Sequence, residues 1–572
     1  MTPRPGRELR WSPIVLALLL AACGSGKAGT TASSSTGDGG GAAAPATGST
    51  GISPTLVTIA NGMLQGTIDG ATSAFLGIPY AKPPVNDLRW KAPVPVDPWQ
   101  GVLDATQFGK RCAQVASTAA QTAASTDEDC LYLNVWTPDV SAKKLPVMVW
   151  IHGGGNVGGS ASDPVPFANT GYFYSGSFLA GNHDVVVVTL NYRLGVFGFF
   201  AHPGLVAEGS KNGNQGLWDQ RLALQWVNSN IDKFGGDPGN VTIFGESAGS
   251  LDVCLHVASP QSRGLFHRAI SESGGCTSFQ TTVAQGEATV ATLAAQVGCT
   301  GSGALACLRG KPVMDLLNAA PSLNLLMGTG LGVVVDGDFL PDQPRALYDG
   351  GNISRVPYIL GSNTDEGTLF TIGSKTITTQ DELLTSLKMQ FGNDAALVAG
   401  EYPPSNFTNA QPNPYQAALS HAVGDSILVC TTYDAAVRAA NGGVPAVYMY
   451  NFDIPLDPTL TPGMFLGATH GSELSFVFGT STNFTSDTQP VSERMQRYWT
   501  NFAKTGDPNA GDASSGDLAW QRFSDSMNVR INFGLQSTMI HDFRANECAF
   551  WRARYDARFT SGSNAPADGG AE

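Results

Sequence analysis

The chain has 572 residues, of which 42% are hydrophobic and only 14% charged, enough apolar content for a large buried core. Its formal net charge of −14 argues against a nucleic-acid partner, because phosphate binding needs clustered Lys and Arg, and it gives no help in binding anionic lipid heads. Length alone would allow several domains, but no linker interrupts the middle of the chain, so one large domain is expected.

The N-terminus reads as an address. Arg4, Arg7 and Arg10 precede the apolar run Ile14 to Ala22, which is too short for a membrane span of roughly 20 apolar residues. The run ends Leu20-Ala21-Ala22-Cys23 and resembles the bacterial lipoprotein signal. That resemblance implies removal of residues 1–22 and lipidation of Cys23. Gly24 to Gly51 is almost entirely Gly, Ser, Thr and Ala, a composition that cannot offset its chain entropy by burial. Residues 23–53 are therefore expected to be a lipidated Cys with a flexible tether. The chain is expected to be exported and anchored to a bacterial membrane, facing the periplasm or the cell surface. Residues 54–558 form the expected body, and residues 559–572 a disordered tail.

There are nine Cys. Setting Cys23 aside leaves an even number in an exported chain, which points to disulfides. Cys299 and Cys307 would close one short loop, and Cys112 and Cys130 another. No C-x-x-C pair exists and the His residues are scattered, so no metal or other cofactor is expected.

Along the body, β-branched and apolar runs end in turns. Val147 to Ile151 leads into His152-Gly153-Gly154-Gly155, Val185 to Leu190 into Asn191-Tyr192-Arg193, and Val241 to Phe244 into Gly245-Glu246-Ser247-Ala248-Gly249. Val356 to Leu360 and Ala446 to Tyr450 are further runs of this kind. Continuous apolar strands are buried on both faces, as in parallel sheets. Trp218, Leu222 and Trp226, joined by Val227, Ile231 and Phe234, predict a helix that stops at Gly235-Gly236. Strands alternating with helices predict an α/β fold with a mostly parallel sheet.

Gly245-Glu246-Ser247-Ala248-Gly249 matches G-x-S-x-G between a predicted strand and a predicted helix, Ser250 to Ala258. The turn is sharp, so side chains larger than Gly at 245 and 249 would collide, and it exposes the Ser247 hydroxyl as a nucleophile. The helix places its N-terminus beneath developing negative charge. The run His152-Gly153-Gly154-Gly155 offers backbone N–H groups without side-chain obstruction. The candidate oxyanion donors are Gly154, Gly155 and Ala248.

An α/β-hydrolase carries its acid and then its His after the Ser. His256 and His267 follow Ser247 too closely. His470 lies in the small-residue loop Gly467-Ala468-Thr469-His470-Gly471, while His421 and His541 remain alternatives. The acid is expected on a loop after a strand, at Glu366 or its neighbour Asp365.

Together these pieces resemble the type-B carboxylesterase/cholinesterase family, from about Val57 to about Arg554. Phe244 to Ser250 looks like its serine signature and Glu128-Asp129-Cys130-Leu131-Tyr132-Leu133-Asn134 like its second signature. Asn212 to Gln220 and Phe234-Gly235-Gly236-Asp237-Pro238 are also typical. The resemblance implies an α/β-hydrolase fold, a large central mostly parallel twisted sheet flanked by helices. It implies a serine carboxylesterase with a Ser247–Glu366–His470 triad, selecting Glu366 over Asp365. The substrates implied are small carboxylic esters, short or medium acyl or aryl, and a monomer is expected. It also implies the disulfides Cys112–Cys130, Cys299–Cys307 and Cys430–Cys548, which leaves Cys254 to pair with Cys276. Two departures stand out. Residues 113–129, the loop where cholinesterases place a choline-binding Trp, hold no aromatic residue, which weighs against choline esters, and the shortness of the loop weighs against a large lid there. Asn156 follows the glycines where many relatives carry an aromatic residue, which changes the neighbouring pocket.

Overall fold

The apolar runs assemble into one eleven-stranded sheet. In the computed structural model, residues 55–116, 123–165, 171–320, 331–371, 376–459, 461, 463–511, 514 and 517–560 are described. The expected signal segment, Cys23 and the expected tether lie outside the described residues, as do residues 561–572 of the expected tail, whose first two residues, 559 and 560, instead end a helix. The strands are β1 (Thr67–Asp69), β2 (Thr72–Pro79), β3 (Tyr132–Thr137), β4 (Leu145–Ile151), β5 (Val186–Leu190), β6 (Gly236–Glu246), β7 (Arg268–Glu272), β8 (Tyr358–Asn363), β9 (Val447–Phe452), β10 (Val529–Phe533) and β11 (Thr538–His541). Their spatial order is β11-β10-β9-β8-β7-β6-β4-β5-β3-β2-β1. The centre, from β5 through β4 and β6 to β10, is parallel, whereas both edges are antiparallel. The sheet is thus mixed, with its parallel strands gathered where the expected apolar runs lie.

The central strands are covered on both faces. On β4, Val147, Val149 and Ile151 enter the core on one side, while Met148 and Trp150 enter the core on the other. The first face packs under α1 (Gln215–Asn230) and α2 (Ala248–Ala258). In α1 the buried apolar side chains are Leu217, Trp218, Ala223, Leu224, Trp226 and Val227, a wider stripe than the sequence periodicity indicates, and Leu222 is only half-buried. The chain leaves α1 through a short 3-10 turn that closes at Gly235, whose φ of 82° and tight approach to the Asp139 carbonyl leave no room for a Cβ. The helices α3 (Pro414–Gly424) and α4 (Cys430–Asn441) follow, and α5 (Gln489–Thr505) covers the second face with Val491, Met495, Trp499 and Phe502 along one stripe. The last helix is α6 (Ala545–Thr560).

Four disulfides join Cys112 to Cys130, Cys254 to Cys276, Cys299 to Cys307 and Cys430 to Cys548, with Cα separations of 4.9, 5.4, 5.5 and 4.8 Å. The last ties the start of α4 to α6. No helix among the described residues is long and apolar enough to cross a membrane.

Candidate active site

Parallel strands end together, so the loops that follow them converge on one edge, where α/β sheets place their sites. Ser247 follows β6, the glycine loop follows β4, Ser273 follows β7, Glu366 follows β8 and His470 lies beyond β9. Ser247 stands at the N-cap of α2 with φ 57° and ψ −122°, a conformation that costs a non-glycine residue about 1–3 kcal/mol and persists where the surroundings enforce it. Enforcement comes from both sides. A Cβ on Gly249 would sit 2.1 Å from the Ile151 carbonyl oxygen, and one on Gly245 would sit 2.7 Å from the same atom. The Ser247 N–H donates to the Glu272 carbonyl at 2.9 Å.

The glycine loop lies against the same turn. A Cβ on Gly153 would meet the Ser247 Cβ at 3.1 Å and the Glu246 carbonyl at 2.8 Å. Gly154 and Gly155 both take positive φ, 101° and 66°, which glycine alone adopts freely. Among the described residues the N–H groups of Gly154, Gly155 and Ala248 have no acceptor.

His470 and Glu366 are brought together across 104 residues, with Nδ1 2.7 Å from Oε2. Glu366 is buried, and its other oxygen accepts from the Asn363 N–H at 2.7 Å and from the Ser273 hydroxyl. His470 Nε2 lies 3.2 Å from Glu246 Oε1 and has no hydrogen-bond partner among the described residues, Ser247 included.

The carboxylesterase family matches residues 53–551, nearly the whole described body. The chain belongs to this family. It is a carboxylic ester hydrolase of the serine type. Acetylcholinesterase of Bungarus fasciatus is 38% identical over 525 residues, covering 86% of this chain and 84% of that protein. Cholinesterase of Mus musculus is 35% identical, covering 87% and 86%, and acetylcholinesterase of Danio rerio is 36% identical, covering 84% of each.

The carboxylesterase surrounds His470 with acid. Burial pulls its imidazole down, but the Glu246 and Glu366 carboxylates and, more weakly, Glu473 outweigh that and push it up to about 9. Burial raises Glu246 to about 7, against the attraction of His470. Burial also raises Glu473 to about 8, helped by its acidic neighbours. Glu272, which accepts from Trp499 Nε1 at 2.8 Å, is held far above the carboxylate range by burial. Burial thus disfavours the charged form of Glu246, Glu272 and Glu473.

The rival residues have other partners. Asp365 binds the backbone of Ala468. His421, on α3, stacks on Phe407 and accepts from Arg544 at 2.6 Å, and burial beside that cation lowers it to about 3. His541 lies on the antiparallel edge strand with Nδ1 3.2 Å from the Met527 carbonyl. His256 is buried in α2 and His267 accepts from the Val241 N–H. Sequence reasoning missed Ser273 and Asn363 as holders of Glu366. Both sit one residue past or at the end of a parallel strand, and that position was the only signal available for them.

Proposed function

We propose that the esterase acts through an acyl-enzyme on Ser247, with His470 as general base and acid and Glu366 as its orienting carboxylate. Ser247 Oγ bonds to the ester carbonyl carbon while its proton passes to His470 Nε2. The carbonyl oxygen becomes an oxyanion held by the N–H groups of Gly154, Gly155 and Ala248. Its collapse breaks the C–O bond, and the leaving alcohol takes the proton from His470. Water, deprotonated by the same imidazole, then releases the carboxylic acid and restores Ser247. The observation that carries this reading is the 2.7 Å contact of His470 with buried Glu366 at the edge where Ser247 holds its strained turn.

The substrates proposed are uncharged short or medium acyl or aryl esters. The relatives' names point to choline esters, but the Cys112–Cys130 loop holds no aromatic side chain to meet a quaternary ammonium. Hydrolysis of a p-nitrophenyl acyl series and of acetylthiocholine, beside Ser247→Ala, tests both points. Turnover that peaks at short or medium chains, exceeds that on acetylthiocholine and disappears in the variant supports the reading. Preference for the thiocholine ester overturns the substrate class, and turnover surviving in Ser247→Ala overturns the mechanism.

We also propose export and anchoring through Cys23, the protein working as a monomer. Incorporation of labelled fatty acid that is lost in Cys23→Ser tests the anchor.

A further inference from the structure

A second buried polar assembly links α2 to the glycine loop. Asn156 directly follows Gly155, with its backbone in the left-handed region at φ 58°. Its Nδ2 donates to Asp252 Oδ1 at 3.0 Å, and its Oδ1 accepts from the Tyr192 hydroxyl at 2.9 Å. The same hydroxyl lies 2.8 Å from the His152 carbonyl, so one proton is shared between the two ends of the Gly153–Gly155 turn. The Asn156 carbonyl accepts from the Gly195 N–H at 2.7 Å.

Asp252 stands one turn beyond Ala248 on α2. Its Oδ2 accepts from Gln220 Nε2 at 2.6 Å. Gln220 Oε1 in turn lies 3.0 Å from His256 Nε2, whose ring meets the Ser262 hydroxyl at 2.7 Å. Asn156, Tyr192, Gln220, Asp252, His256 and Ser262 are all buried. Burial beside the Arg221 charge lowers His256 to about 3, so the ring is neutral, its Nε2–H donating to Gln220 and its Nδ1 accepting from Ser262. Among the described residues Asp252 makes no ion pair, only these amide contacts. A buried carboxyl group without a cation is expensive to keep.

The proposed oxyanion donors belong to two separate elements, the loop after β4 and the first turn of α2. Their spacing is not set by any single stretch of backbone. The Asn156–Asp252 bond crosses directly from one element to the other. We propose that Asn156 is a positioning residue of the oxyanion hole, clamped by Asp252 and Tyr192 so that the N–H groups of Gly154 and Gly155 keep a fixed distance from that of Ala248. The proposal rests on the reading of those three N–H groups as the oxyanion donors.

The test compares Asn156→Gly, Tyr192→Phe, Asp252→Leu and Asp252→Asn in the full chain. Gly tolerates the left-handed backbone, so Asn156→Gly removes the amide without adding strain. Tyr192→Phe removes a single oxygen. Rates are taken per active site, counted by stoichiometric release of p-nitrophenol from a p-nitrophenyl phosphonate. Affinity is also measured for an aryl trifluoromethyl ketone, whose adduct on Ser247 carries the oxyanion. A misplacement on the order of 1 Å costs about 10²-fold. The first three variants are therefore expected to lose about tenfold to a hundredfold in kcat with KM nearly unchanged, and to lose ketone affinity by a similar factor. Asp252→Asn retains an acceptor for Asn156 and is expected to recover most of the rate. Unchanged kcat per titrated site in Asn156→Gly and Tyr192→Phe, with only a lower Tm or a changed KM, overturns the proposal. If the wild type forms no stoichiometric adduct at Ser247, the underlying active-site reading fails first, and that result is distinct from any result on the variants.

Discussion

Asp365 turns away from His470 and grips the loop that carries it: Oδ2 accepts the Ala468 N–H at 2.9 Å, and the Asp365 N–H donates to the Ala468 carbonyl at 3.0 Å. Glu366, the next residue, faces His470 Nδ1 instead. Two adjacent carboxylates are thus divided between holding the loop and facing the imidazole.

That division separates the two residues by experiment. Glu366→Gln is expected to lower kcat by about 10⁴ with little change in Tm, because the imidazole loses its tautomer control and charge partner. Asp365→Ala is expected to lower stability by about 1–3 kcal/mol by leaving the Ala468 N–H without its acceptor, with a smaller loss of kcat. Steady-state kinetics and urea unfolding of both variants decide the matter. A Glu366→Gln enzyme of near-normal kcat beside an inactive Asp365→Ala would assign the acid to Asp365.

The acid around His470 sets a pH dependence. A general base must be neutral to accept the Ser247 proton. The Glu246, Glu366 and Glu473 carboxylates stabilise the imidazolium and, against burial, push it up to about 9. The neutral fraction at a given pH is therefore smaller than for an ordinary imidazole, and the acid limb of kcat/KM is expected above pH ~6.5. Glu246→Gln removes one of these attractions, so its limb is expected at lower pH. A pH–rate profile in which Glu246→Gln shifts upward or not at all would contradict this electrostatic account.

Close approach at the nucleophile turn predicts intolerance of a single methyl group. In Gly249→Ala the added Cβ would lie 2.1 Å from the Ile151 oxygen and 2.8 Å from the His152 oxygen, both backbone atoms that cannot rotate away. Overpacking of this kind costs typically about 1–3 kcal/mol, and here the shift also moves α2 and Ser247. Reduced Cm in urea with strongly reduced kcat is expected. A variant matching the wild type in both would show that the turn has slack.

The Cys430–Cys548 bridge spans 118 residues and joins α4 to α6. Opening it frees a long loop in the unfolded chain, and loss of a native disulfide typically costs about 2–5 kcal/mol. The Cys430→Ser/Cys548→Ser pair is expected to show a lower Tm while the remaining folded enzyme keeps its kcat, since neither cysteine lies at the Ser247 edge. Calorimetry with active-site titration checks both halves.

Much of the site was legible because its parts are local. The strand, turn and helix around Ser247 are contiguous, and the small residues at 245 and 249 report a crowding that nearby backbone imposes. The parallel centre of the sheet was equally plain, since strands covered on both faces favour continuous apolar runs, as β4 and most of β5 do. The edges were not. At one edge β1, β2, β3 and β5 pair antiparallel in turn, at the other β11 pairs antiparallel with β10, and pairing direction is not written in the apolarity of a run. The helix α1 showed the same limit: its periodic Trp and Leu marked a helix, but the depth to which each sinks was set by what packs on it.

Sequence by itself determined the chemistry that one short segment can hold: an exposed Ser on a forced turn, a glycine loop free to present N–H groups, and a family of serine esterases. The resemblance selected Glu366 over Asp365 and His470 over His421, and the tertiary structure alone shows that Glu366 faces His470 while Asp365 holds Ala468 and His421 meets Arg544. That placement depends on how loops after β8 and β9, about a hundred residues apart, meet at one edge of the sheet. It alone also joined Asn156 to Asp252, because a hydrogen bond between a loop and a helix leaves no periodicity for the chain to display.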